Sequence, residues 1–126
     1  MKKNNIGLCF VLTLITMLTL GVTSCQKNDI DNKKTLKKLY KMYKDGFIDE
    51  CKYKGQTVYH AGIIADDAGS AVYDKDGKQI GTCNYAWGNE ADPVCEETTD
   101  CERVYTAEDN MWGEPAVNKY RLGGLF

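Results

Sequence analysis

Six cysteines, one histidine and 18 acidic side chains are the groups of this 126-residue chain able to bind metals, move protons or attack a substrate. Cys9, Cys25, Cys51, Cys83, Cys95 and Cys101 include no C-x-x-C pair, the spacing that a zinc site or a thiol redox centre needs. A Cys/His nucleophile pair is not readable either, since His60 is the single histidine and lies alone on a strand-like segment, where a structural role is expected. Asp74-Lys75-Asp76-Gly77 carries a fragment of a calcium loop but lacks its later oxygen ligands, and reads as a turn. Glu96, Glu97, Asp100 and Glu102 form a solvated acidic cluster before they form a cation site. No motif singles out two carboxylates for glycoside hydrolysis. No metal or cofactor is expected.

The amino-terminal segment carries the most specific signal. Lys2 and Lys3 precede an apolar run from Ile6 to Leu20, which has signal-peptide length and falls short of the roughly 20 residues of a membrane span. It closes on Val22-Thr23-Ser24-Cys25, which resembles the lipobox of bacterial lipoproteins. The resemblance implies that the Cys25 thiol receives a diacylglyceryl group, that cleavage follows Ser24, and that the new amino terminus is acylated. Two or more acyl chains, at about 0.8 kcal/mol per buried methylene, hold a protein stably at a bilayer. The expected organisation is a signal peptide over residues 1–24, a lipidated tether over 25–31 and one globular domain over 32–126.

Cleavage removes Cys9 and lipidation consumes Cys25, so Cys51, Cys83, Cys95 and Cys101 remain. An even number in an exported small domain reads as two disulfides. Of three pairings, Cys51 with Cys83 and Cys95 with Cys101 is the expected one, the second closing a short acidic loop. Charge is unevenly spread: Gln26 to Lys44 holds seven lysines and two aspartates, whereas Asp45 to Phe126 holds seven basic and 16 acidic residues. An acidic head on a basic stem argues against nucleic acid as a partner, because phosphates would be repelled.

The elements that must position these groups follow from periodicity. Leu36, Leu39, Tyr40 and Tyr43 share one helical face, with lysines on the other; Asp31 or Asn32 is expected to cap the start and Gly46 the end. The helix is expected to pack its Leu/Tyr stripe on the domain, with contact between its lysines and anionic headgroups as the alternative. Residues 47–53 and 56–60 alternate around Lys54-Gly55 and predict a hairpin. Residues 70–74 and 78–83 predict a second around Lys75-Asp76-Gly77, and 102–106 a further strand. The predicted fold is α+β: a small antiparallel sheet of two hairpins plus one strand, one N-terminal amphipathic helix, and disulfide staples. Segments 84–101 and 107–126 are irregular, with Tyr85, Trp87 and Trp112 as candidate ligand contacts, although covering the sheet is the commoner use of such residues.

The stretches "ECKYKGQTVYHAG", "YDKDGKQIGTCNYAWG" and "EDNMWGEPAVNKY" carry a wider resemblance to small lipoproteins of Bacteroidetes-type bacteria. That resemblance implies a location and no activity. Gln26 after the lipidated cysteine goes with outer-membrane delivery; Lys27 before Asp29 and Asp31 departs from the acidic pattern that goes with surface display, which leaves both sides of that membrane open. The expected function is a noncatalytic, lipid-tethered module that binds an envelope protein or a glycan, with a small envelope hydrolase using paired carboxylates as the alternative.

Overall fold

The computed structural model describes residues 32–84 and 90–124, which belong to one compact unit beginning at Asn32. Cys25 and the segment before Asn32 lie outside the described residues, as do Tyr85 and Trp87. Helix α1 covers residues 32–42. The strands are β1 (Gly46–Tyr53), β2 (Gln56–Ile63), β3 (Ser70–Tyr73), β4 (Gln79–Cys83), β5 (Thr99–Thr106) and β6 (Val117–Asn118), with a short helix α2 (Pro93–Glu97) between β4 and β5. All pair antiparallel in one sheet of order β4-β3-β2-β1-β5-β6. The fold is thus the expected α+β class, but the sheet is larger than two hairpins and one strand, and β5 starts at Thr99, before the expected Glu102.

Local chemistry explains both predicted hairpins. Lys54 and Gly55 take φ of 49° and 77°, the paired positive values of a type I′ turn, so β1 and β2 join through two residues and Tyr53 faces Gln56. In the β3–β4 turn the Asp74 carboxylate accepts the amides of Asp76 and Lys78, each at 2.9 Å, while Gly77 supplies a φ of 81°. The calcium-loop fragment is therefore a turn whose first acid serves its own backbone.

Helix α1 buries Leu36 and Leu39 against Ile48, Tyr59, Tyr73, Val104 and Tyr105, with Tyr40 and Tyr43 packed beside them. Its polar side also takes part. The Thr35 hydroxyl donates to Lys75 O at 2.6 Å and Lys38 Nζ to Gly77 O at 2.7 Å, so α1 clasps the β3–β4 turn. Of the expected caps, Asp31 lies outside the described residues, Asn32 is itself helical, and Gly46 is the first residue of β1. Gly46 is required for another reason, because a Cβ there would stand 1.9 Å from Gly62 O on the paired strand.

The disulfides are Cys51–Cys101 and Cys83–Cys95, which corrects the expected pairing. Cys51 lies on β1 and Cys83 on β4, with β2 and β3 between them. Three strand spacings are roughly 14 Å, twice the reach of a disulfide. Pairing of β5 with β1 instead brings Cys101 to Cys51, and α2 carries Cys95 over β4 to Cys83. Gly81 permits that docking, since a Cβ there would come within 2.2 Å of Val94 Cγ1. Asp92 covers the outer edge of β4: its amide donates to Thr82 O at 3.0 Å and its carboxylate accepts Thr82 N at 2.7 Å.

Candidate functional site

Alternation along the strands sends one set of side chains toward α1 and the other to the opposite face. On that opposite face the register aligns Phe47, Gly62, Ser70 and Cys83 across β1, β2, β3 and β4 as one row, and Asp49, His60, Val72 and Gly81 as the next. Helix α2 and the disulfides cover the part holding Cys51, Val58, Val72 and Cys83. Past the end of α2 the first row is the floor of a cleft of about 490 Å³. Ile63 at the end of β2, with Asp67 and Ala68 from the β2–β3 connection, walls one side, and Arg103, Trp112 and Glu114 another. Asn84, next after β4, also lines it.

Gly62 keeps the floor low. A Cβ there would meet Ser70 Cβ at 2.8 Å and the Phe47 ring at 3.1 Å, so a side chain would push these two lining residues apart. Trp112 is held at the rim by a closed loop. Asn110 donates its amide nitrogen to Ala107 O and Glu114 O, accepts Glu114 N on its oxygen, and receives Gly113 N on its carbonyl. Gly113, at a φ of 66°, allows the chain to turn there. The indole consequently stands 53% exposed on a well-bonded loop.

Arg103 organises the charge. Its guanidinium lies over the Phe47 ring, 4.5 Å from the centroid, with Nε paired to Asp49 and Nη1 to Glu114 at 3.1 Å and Thr106 Oγ1 at 3.2 Å. Behind Phe47 the His60 ring meets it edge-on at 5.6 Å, and His60 Nε2 and Ser70 Oγ share a hydrogen bond of 2.6 Å. Burial holds the His60 pKa below its usual value; the Asp49 carboxylate opposes that and Arg103 adds to it. A serine hydrogen-bonded to a neutral imidazole meets the first requirement of a nucleophile and base. The carboxylate that would orient the imidazole, Asp49, is however engaged by Arg103, as is Glu114.

A second depression, about 540 Å³, lies between the end of α1, β5 and β6 and includes Tyr40, Lys44, Asp45 and Glu108. Its aromatics are Tyr40 and Tyr105, and Tyr105 spends its hydroxyl on Lys44 O at 2.5 Å.

Of the aromatics singled out in the sequence, Trp112 lines the cleft. Cys83 lines it as well, through its place in the floor row and not through a free thiol. Phe47, Ser70, Arg103 and Glu114 were not legible as site residues. Phe47 follows the alternation of its strand, but Arg103 has the same parity as the core residue Tyr105 and reaches the cleft face only because β5 shifts register against β1 between Tyr105 and Arg103. Among the described residues no group of three or more His, Cys, Asp or Glu is placed to hold a metal ion. No protein-family model matches the chain, nor does any curated protein or solved structure.

Proposed function

We propose that this chain is a lipid-anchored binding module of the bacterial cell envelope, tethered to the outer membrane by acyl chains on Cys25 and presenting the cleft on its sheet to a glycan or protein ligand. The tether reading rests on the basic, apolar and Val-Thr-Ser-Cys succession of the leader and on Gln26 after the cysteine. One observation carries the binding reading: a half-exposed tryptophan, fixed by Asn110, overlooks a concave, partly apolar floor. A cavity of this size falls within the roughly 300–1,000 Å³ of ordinary ligand sites. The engagement of Asp49 and Glu114 by Arg103 favours binding over the hydrolase alternative, because those acids neutralise a cation in place of handling protons.

Two experiments test this. Growth of the native host with radioactive palmitate labels the wild-type chain and not Cys25→Ser; an unlabelled wild-type chain refutes the anchor. The full-length chain, extracted in mild detergent, retains an envelope component that Trp112→Ala loses, and is inert toward glycosidase and peptidase substrates. Turnover that vanishes with Asp67→Asn or Glu114→Gln would establish the hydrolase instead.

A further inference from the structure

We infer that the cleft takes a neutral sugar ring, stacked on Trp112. This deepens the binding-module reading and rests on it. A pyranose presents an apolar C–H face and a rim of hydroxyls, each of which donates and accepts. The cleft offers the complement of both. Trp112 and Phe47 supply flat apolar area. Around them stand acceptors in the carboxylates of Asp67 and Glu114, a donor in the Arg103 guanidinium, and groups of both kinds in Ser70 and Asn84. A purely apolar ligand would strip water from the remaining lone pairs and N–H groups of these side chains without replacing it, which is costly. A small peptide side chain would satisfy few of them.

Charge narrows the class of sugar. Asp67 and Glu114 line the cleft against the one cation Arg103, and Asp49 lies beneath that cation. Residues 45–126 carry 16 acidic against seven basic side chains. Uronic-acid or sulfated glycans therefore approach a repelling surface. Arg103, already paired with Asp49 and Glu114, would have to give up a partner to receive a ligand anion. A neutral ring needs no such exchange, because its hydroxyl can donate to Glu114 while Arg103 stays in place.

The test uses the full-length chain in mild detergent with cello-, chito-, malto- and mannooligosaccharides, and with heparin and polygalacturonate as anionic probes. Saturation-transfer NMR should show one neutral oligosaccharide bound at millimolar concentration or below, with transfer concentrated on the C–H protons of one ring face. Trp112→Ala should weaken it at least about tenfold with an unchanged melting temperature, while Trp112→Phe retains most of the binding. The anionic probes should bind at least about tenfold more weakly than the neutral one. Silence of all neutral sugars, equal binding by Trp112→Ala, or preference for heparin would overturn the inference. If the sugars are silent while an envelope component is still held in a Trp112-dependent way, the sugar inference falls and the binding-module reading stands. If neither is held, both fall.

Discussion

The two faces of the sheet are closed by different means. On one, α1 lays Leu36 and Leu39 on a floor rich in tyrosine, and ring contacts complete the seal: Tyr40 meets Tyr105 edge-on at 5.1 Å and Tyr43 meets Tyr73 at 6.0 Å. Most of the hydroxyls there find partners, Tyr43 with Tyr73 and Tyr120 with Glu50 among them. On the other, a five-residue helix and two disulfides cover part of β1 to β4, and the cleft stays open around Phe47 and Arg103. An amphipathic helix of three turns brings enough apolar surface to bury a face outright, whereas α2 buries only Val94 and must be cross-linked in place. Cross-linking in place of coverage is what leaves room for a cleft.

The disulfides offer the strongest way to break that contrast. Replacing Cys51 and Cys101 together by serine reopens a loop of 50-residue separation, and on the chain-entropy estimate should cost about 4 kcal/mol in urea unfolding. The Cys83/Cys95 pair, with a separation of 12, should cost about 3 kcal/mol. Non-reducing peptide mapping should recover these two links; a Cys51–Cys83 peptide would contradict the sheet order. Next in size, Gly81→Ala should push Val94 and α2 off the sheet at a cost of about 1–3 kcal/mol in the same measurement. If it proves neutral, α2 is not packed as described.

The helix-covered face predicts a smaller change of opposite sign. Tyr59 is fully buried, its hydroxyl has no hydrogen-bond partner among the described residues, and burial raises its pKa. Tyr59→Phe should therefore leave stability unchanged or raise it by up to about 1 kcal/mol, and a clear loss would reveal a partner for that hydroxyl. The mildest effect is one of pH on the open face. Because the folded pKa of His60 lies below its unfolded value of 6.5, the unfolded chain binds the proton first. His60's contribution is complete above pH 6.5 and is lost as pH falls from there toward the lower folded value. His60→Gln should flatten the stability profile in that window; an unchanged slope would assign it to carboxylates instead.

Both hairpins could be read along the chain because a type I′ turn and an aspartate turn are decided by the residues within them, Lys54-Gly55 and Asp74 to Gly77. The Leu36/Leu39 stripe was legible for the same reason, a helix being a local periodicity. Gly46 shows the limit: it looked like the glycine that ends a helix, and it is small because Gly62 O passes beside it from another strand. Of the cleft, Trp112 was visible as an aromatic in a loop rich in turn residues, but nothing near Arg103 in sequence marks its place over Phe47.

What the sequence determined alone is therefore what short-range sterics and hydrogen bonds decide: helix α1, the hairpin turns and most of the strands they join. The tertiary structure decided which cysteines meet, which glycines must stay bare, and which side chains ring the cleft. Those depend on β5 crossing to pair with β1, a contact between residues about 50 apart whose energy lies in packing and register.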